Sequence, residues 1–242
     1  MLNNFIRSVV LAFGFLSVNA SAGTILFNDQ SAGSLGDLSA TNLNVYNAVI
    51  GAGNTVSTGL LTDVSALDSS DSLWLSTSTF NDNLSGGELS NLNDYINSGR
   101  RVVLHGENSN WSGWNTSLLD LLGGTWGVGC DSWLTPVVGN SNGLTNGVSE
   151  INIPCDAHVT SGDRIDLVLD GSISVWGAHE NVLLILDGNW LADGFSAPNL
   201  DFAKNIGNWL ADSSRVSVSE PSGLVIFCIA LLGFGISRRK LI

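Results

Sequence analysis

Short apolar runs alternate with longer amphipathic segments along most of this chain, and that alternation constrains the fold more than any other feature. Apolar runs of this length are typical of buried strands, and apolar side chains at helical spacing indicate helices packed on one face. The predicted strands are 24–27, 54–58, 72–77, 101–105, 165–169, 173–176 and 182–186, and the predicted helices are 38–50, 85–99, 115–122 and 199–210. Strands that alternate with helices through short loops predict an α/β fold with a doubly wound, mostly parallel sheet.

The helix predicted over 85–99 carries the clearest end signals. Ser85 stands at its start with Glu88 three residues later, which is the pattern of a capping box. Gly99 follows the last apolar position, where a left-handed residue commonly ends a helix. The sequence therefore predicts both ends of this helix, and not only its presence.

The charge of the chain excludes several classes of partner. Nine Lys and Arg residues stand against 22 Asp and Glu, which gives a net charge of −13, and only 13% of all residues are charged. A phosphate-binding surface needs a basic face, so nucleic acid is not an expected partner. The apolar content of 44% is enough for a folded core, so a disordered acidic chain is excluded as well.

The first 22 residues have the pattern of a secretory signal peptide. Arg7 supplies the positive charge, an almost wholly apolar stretch follows, and small residues come before the predicted cleavage after Ala22. The exported chain would then begin at Gly23. The alternative is an uncleaved anchor, for which the apolar stretch is short.

The carboxyl-terminal residues carry a second pattern. A polar motif comes first, the apolar stretch 223–236 comes next, and a basic cluster closes the chain. The motif is Ser219, Glu220, Pro221 and Ser222, and the basic cluster is Arg238, Arg239 and Lys240. The apolar stretch is marginal for a membrane crossing, and the alternative is a helix packed on the domain. We expect a transmembrane helix, with the basic cluster on the cytoplasmic side.

This order of motif, apolar helix and basic end resembles the PEP-CTERM sorting signal of Gram-negative bacteria, with Ser219 in place of the first proline. The resemblance implies export across the inner membrane, transient anchoring there through the C-terminal helix, and processing near Glu220 by an exosortase-type protease. It also implies a final location at the cell surface or in extracellular polysaccharide. The expected organisation is a signal peptide (1–22), an exported domain (23–213), a linker with the sorting motif (214–222), and a helix with a basic tail (223–242).

Cysteine usage agrees with export. Cys228 lies in the apolar tail, so Cys130 and Cys155 remain in the exported domain. Disulfides persist outside the cytoplasm, and we therefore predict a bond between these two residues. The alternative is a pair of free buried thiols.

The middle of the chain resembles the class I glutamine amidotransferase-like fold, a flavodoxin-like α/β sandwich. The resemblance rests on the strand at 72–75 with its following helix, on 101–107, and on 182–188 with the helix at 199–210. In active members of that class the turn after the fourth strand presents a Cys nucleophile. Glu107 is the expected occupant of that position here, and a carboxylate cannot perform thiol acyl transfer, so glutaminase activity is not expected.

No complete catalytic site can be read from the sequence, and His105 and Glu107 are the two candidates for a catalytic role. They lie two residues apart at the end of a predicted strand, where open α/β sheets usually bind ligands. A general acid–base hydrolase would need a second carboxylate, for which Asp29 and Asp187 are candidates. The alternative is a polar loop with a hydrogen-bonded histidine and a solvated glutamate, and we favour it because no complete constellation is present.

Tryptophans at 111, 114, 126 and 133 crowd into one loop-rich part of the chain. Sugar rings stack on exposed aromatic faces, so Trp111 and Trp114 are candidates for a glycan-binding surface. The alternative is that these rings belong to the core. No cofactor and no metal site is predicted.

These observations together predict an exported, non-enzymatic protein of the cell surface or extracellular matrix, structural or glycan-binding. The alternative is an extracellular hydrolase that acts on an ester or a glycan through Glu107 and His105.

Overall fold

The computed structural model describes residues 23–28, 43–76, 83–130, 134–192 and 197–212. Within them a seven-stranded sheet lies between two layers of helices. The strands of the chain are β1 Thr24–Asn28, β2 Thr55–Gly59, β3 Ser72–Leu75, β4 Arg101–His105, β5 Thr125–Gly127, β6 Leu134–Pro136, β7 Glu150–Asn152, β8 His158–Ser161, β9 Arg164–Asp166, β10 Ile173–Trp176 and β11 Val182–Ile185. The helices are α1 Leu43–Ile50, α2 Val64–Ser69, α3 Gly86–Asn97, α4 Ser112–Leu122 and α5 Leu200–Ala211.

The order of strands in the central sheet is β2-β1-β3-β4-β11-β10-β9. Five neighbouring strands, from β2 to β11, run parallel, and β10 pairs antiparallel with both β11 and β9. Strands β5 and β8 form one separate pair, and β6 and β7 form another. The predicted α/β class with a mostly parallel, flavodoxin-like sheet is therefore confirmed.

Alternate residues of each central strand enter one of two cores, because successive side chains of a strand point to opposite faces. Val103 and Leu183 join α1 and α5 in the first core, while Leu104 and Leu184 join α3 and α4 in the second. All four residues of β3, β10 and β11 are buried, as expected for strands covered on both sides.

The capping box predicted for α3 is present. The Ser85 side chain accepts a hydrogen bond from the Glu88 amide, and the Glu88 carboxylate accepts one from the Ser85 amide at 2.8 Å. Gly99 follows with a φ of +79°, which favours glycine. Helix α2 was not predicted from the sequence, since its six residues give too short a pattern to read.

The prediction of a transmembrane helix and of membrane attachment is corrected. In the described ranges no helix has the length and apolar character needed to cross a bilayer. The longest of these helices, α3 and α5, have 12 residues, whereas a crossing takes about 20. The segment 223–242, to which the prediction referred, lies outside the described residues, as do the sorting motif 219–222 and the signal peptide 1–22.

Candidate functional site

Two acidic residues meet at the edge of the sheet where β4 and β11 end. His105 and Ile185 are paired in register as the last residues of these parallel strands, and the Gly106 amide extends the pairing to the Ile185 carbonyl at 2.8 Å. Glu107 and Asp187 each lie two residues further along. Of the two candidates for a second carboxylate, Asp187 therefore lies at the same edge as Glu107, and Asp29 lies outside the described residues.

Glu107 is completely buried and is held by backbone amides. One carboxylate oxygen accepts from the Gly188 amide at 3.0 Å, and the other accepts from the Asn108 amide at 3.2 Å. Burial, together with the charge of Asp187, raises the pKa of Glu107 to about 7 despite these two hydrogen bonds. The carboxyl group therefore binds a proton near neutral pH.

Asp187 links this carboxyl group to the disulfide. Its carboxylate accepts hydrogen bonds from the Asn189 amide at 2.8 Å and from the Cys155 amide at 3.1 Å. Burial raises the pKa of Asp187, and the hydrogen bonds oppose that rise. Cys155 is bonded to Cys130, so the predicted disulfide is confirmed, and it fixes the loop that supplies one of these amides.

A second pair of carboxyl groups, Asp156 and Asp170, lies close enough to Asp187 for its charge to act on Asp156. Asp156 is buried beside Asp170, and burial, the charge of Asp170 and a side-chain hydrogen bond between the two raise the pKa of Asp156 to about 7. The Asp187 charge also raises it. We refer to Glu107, Asp187, Asp156 and Asp170 as the carboxylate cluster.

His105 does not take part in this cluster. Its ring is completely buried between Trp74 and Trp190, with ring centroids 5.1 and 5.8 Å away. Burial lowers the pKa of His105 to about 3, so the ring is neutral at physiological pH. Neither ring nitrogen has a hydrogen-bond partner among the described residues. With both ring nitrogens unpartnered there, no hydrogen bond joins His105 to Glu107, as an acid–base pair would require.

Asn115 shapes the turn that carries Glu107, and the sequence reasoning missed it. Its side-chain oxygen accepts from the Glu107 amide at 2.9 Å, and its amide donates to the Glu107 carbonyl at 2.6 Å. Gly106 is required beside it, because a Cβ there would lie 2.4 Å from Leu186 and 2.8 Å from the Asn115 oxygen. An asparagine within the apolar stripe of α4 was the available signal, since a buried amide needs partners.

The cluster has the chemical groups for proton transfer, but its two carboxyl groups at the sheet edge are enclosed. Both Glu107 and Asp187 have 0% exposed surface. Their oxygens accept hydrogen bonds from backbone amides, which orient both carboxylates toward the main chain. In the part of the chain that the structure describes, no three His, Cys, Asp or Glu side chains are grouped as metal ligands.

The glycan-stacking prediction for Trp114 is wrong. The ring is 1% exposed within the second core, and its indole N–H donates to the His105 carbonyl at 2.7 Å. Trp111 is half-buried and packs against the same core, and Trp133 lies outside the described residues. Trp126 is also half-buried, and its N–H donates to the Thr116 hydroxyl at 3.2 Å.

An open groove of about 440 Å³ lies between the start of α3 and one face of α4. Its lining combines polar groups with leucines. The residues are Asn83, Leu84 and Leu89 from the α3 side and Ser112, Gly113, Thr116, Ser117, Asp120 and Leu121 from α4. We refer to it as the α3–α4 groove.

Comparison with known proteins identifies the fold and not the family. No protein-family model and no curated protein matches the sequence. Among solved structures, the mmIFT52 N-terminal domain is similar with a TM-score of 0.58 and 11% identity, over 77% of this chain and 97% of that one.

A GMP synthase-like protein from Thermoplasma acidophilum has a TM-score of 0.52 and 11% identity, over 78% of this chain and 96% of that one. The exo-β-1,4-mannosidase Op5Man5 from Opitutaceae bacterium strain TAV5 has a TM-score of 0.52 and 10% identity, and the match spans 79% of this chain but 36% of the enzyme. The predicted resemblance to glutamine amidotransferase-like proteins is thus confirmed for the fold alone.

Proposed function

We propose that this chain is an exported, non-enzymatic protein that contacts polysaccharide at the cell surface or in the extracellular matrix. The observation that carries the non-enzymatic part is the complete burial of both catalytic candidates, Glu107 and His105. A catalytic acid or base must come within hydrogen-bond reach of its substrate, and neither side chain offers any surface to one.

Export is supported by the sequence patterns at both ends and by the disulfide. The Cys130–Cys155 bond is of the kind that persists outside the cytoplasm. In this proposal the signal peptide is removed after Ala22, and an exosortase-type protease recognises the motif that contains Glu220 and Pro221.

Polysaccharide contact is supported by the character of the surface. Charged residues are 13% of the chain, and amide and hydroxyl side chains take their place. Such groups donate and accept hydrogen bonds without the desolvation cost of a charge, which suits polyhydroxylated ligands.

The alternative hydrolase function is favoured by one observation, the pKa of about 7 at Glu107 beside Asp187. A carboxyl group with that pKa can give and take a proton near neutral pH. The two functions differ in whether a bound polysaccharide is altered.

The test uses the protein recovered from the growth medium and cell surface, mixed with extracellular polysaccharide from the same culture. We expect the protein to co-sediment with the polysaccharide, with no release of reducing ends or free acids, and its intact mass to correspond to a start at Gly23. Turnover that disappears in Glu107→Gln would establish the hydrolase instead. A full-length chain confined to the cytoplasm, or a protein that does not co-sediment, would overturn the proposal.

A further inference from the structure

The face of α4 opposite the core is built differently from its buried face. The buried face carries the large side chains Trp114, Leu118 and Leu119. The outer face repeats Ser112, Thr116 and Asp120 at intervals of four residues, so that these three side chains lie in one row. At 1.5 Å per residue this row is about 12 Å long, enough for more than one sugar ring.

The floor of the α3–α4 groove is apolar. Leu84 is 5% exposed, and Leu89 and Leu121 are half-buried. Gly113 lines the groove near the start of α4 and places no side chain there. An apolar floor below a polar rim matches the two surfaces of a sugar ring, whose C–H face is apolar and whose hydroxyls point outward.

The rim of the groove carries hydrogen-bonding groups that remain available to a ligand. In the described ranges the side chains of Asn83, Ser112 and Asp120 make no hydrogen bond to another residue, and all three are exposed. Thr116 accepts from Trp126, which fixes that indole beside the groove and leaves the threonine hydroxyl hydrogen to donate. Amide, hydroxyl and carboxylate groups are thereby available within one groove.

Charge restricts the class of ligand. Among the described residues no cation lines the groove, and Asp120 supplies one negative charge. The cationic residues of the described ranges are all engaged elsewhere: Arg100 lies over Tyr95, Arg101 contacts Trp209, Arg164 pairs with Asp166 and Lys204 pairs with Asp201. A phosphorylated, sulfated or uronate-rich chain would meet only negative charge here.

We propose that the α3–α4 groove binds a short stretch of an uncharged polysaccharide. The sugar rings lie on the leucines, and Asn83, Thr116 and Asp120 bind the hydroxyls. This inference rests on the proposed polysaccharide contact and assigns it a place and a ligand class. The volume of about 440 Å³ lies within the range of small-ligand sites, which is about 300–1,000 Å³.

The chain offers a closely matched pair of variants. Asn83 and Asn93 are both exposed asparagines on the α3 side, but only Asn83 lines the groove. Asn83→Tyr places a large ring in the groove, and Asn93→Tyr places the same ring outside it. A second matched pair removes one carboxylate from an exposed helix position: Asp120→Asn does so in the groove, and Asp94→Asn does so outside it.

The experiment is native affinity electrophoresis of the exported protein in gels that contain dextran, galactomannan, laminarin or xyloglucan, with alginate as the anionic control. We expect at least one neutral polysaccharide to retard the protein, Asn83→Tyr to weaken that binding tenfold or more, and Asn93→Tyr to change it less than twofold. Asp120→Asn weakens binding by a smaller factor, and alginate causes no retardation.

The results separate the groove from the broader function. If neutral polysaccharide binds equally to both tyrosine variants, the groove is wrong and the proposed function stands. If no neutral polysaccharide and no native extracellular polysaccharide binds the wild-type protein, both fail. Self-association that Asn83→Tyr abolishes, without polysaccharide binding, would make the groove a contact between copies and overturn the inference, as would retardation by alginate alone.

Discussion

The carboxylate cluster and the α3–α4 groove are two polar regions of the molecule, and they are built in opposite ways. The cluster gathers four acids at the carboxyl edge of the sheet, where Glu107 and Asp187 have no exposed surface and accept from backbone amides. The groove holds one acid among neutral side chains, and its polar groups face solvent. Of these two regions, the first encloses Glu107 and Asp187, whereas the second leaves Asn83, Thr116 and Asp120 accessible.

The difference shows that position at a sheet edge does not by itself make a site. Glu107 lies two residues beyond β4, at the edge where the parallel strands end, yet its oxygens accept hydrogen bonds from the backbone amides of Gly188 and Asn108. Substitutions in the cluster should therefore change stability, and substitutions in the groove should change binding. Three substitutions, at Asn115, Asp156 and Asn83, test that division in order of decreasing effect on stability.

The largest effect is expected at Asn115, which holds the turn of the cluster. Asn115→Leu keeps the approximate volume but removes the partners of the Glu107 amide and carbonyl. A buried polar group left without a partner costs about 1–3 kcal/mol, so the two together should lower the free energy of unfolding by about 4 kcal/mol. Urea denaturation would measure the loss, with Asn93→Leu as the exposed control. A loss below about 1 kcal/mol would show that the turn does not depend on Asn115.

The second effect is a pH dependence from the raised pKa values in the cluster. In the folded state the carboxyls of Glu107 and Asp156 titrate at about 7, above their ordinary values of 4.5 and 3.8. The folded protein then binds more protons than the unfolded chain between pH 4 and pH 7, so stability is highest at the acidic end and falls as the pH rises through 7.

Asp156→Asn should remove part of this dependence. The asparagine amide can donate to Asp170 at every pH. The Asp156 carboxyl group can donate only while it is protonated, below about pH 7. We expect the variant to gain about 2 kcal/mol over the wild-type protein at pH 8 and to match it at pH 5. Denaturation midpoints at the two pH values would measure this. Equal pH dependence in both proteins would mean that Asp156 does not titrate in this range.

The smallest effect on stability is expected in the groove. Asn83 is exposed and its side chain contacts solvent, so Asn83→Tyr should change the free energy of unfolding by less than about 0.5 kcal/mol. The same urea measurement applies, with Asn93→Tyr as the control. A loss as large as that of Asn115→Leu would contradict the comparison, because the groove would then be part of the folding core.

Local patterns were enough for much of the fold. The strands β1, β3, β4 and β11 could be predicted because each contains an uninterrupted apolar run of at least three residues, and the ends of α3 because Ser85 and Glu88 cap it locally. Helix α2 could not, since six residues carry no readable period. The antiparallel pairing of β10 could not either, because strand direction depends on partners distant in sequence.

The candidate site, like the fold, could be predicted only in part from the sequence. Sequence spacing placed Glu107 and His105 at the end of a strand, and the predicted export paired Cys130 with Cys155; the structure agrees with both. The sequence could not show that the His105 ring packs between Trp74 and Trp190, or that the Glu107 carboxylate accepts from Gly188. Nor could it separate Trp114, which is in the core, from Trp126, which is half-buried and donates to Thr116, since burial depends on the whole packing arrangement.

What the sequence by itself determined is the class of fold, the strong negative charge and the patterns that predict export, because each depends on composition or on neighbours a few residues apart. Only the tertiary structure decided which polar groups are accessible. Glu107 and Asp187 follow strands that are distant in sequence, and they are enclosed because β4 and β11 lie side by side. Asn83 and Asp120 line one groove because α3 and α4 pack on the same face of the sheet. Solvent exposure is a property of that arrangement, and so is the division between structural and binding residues.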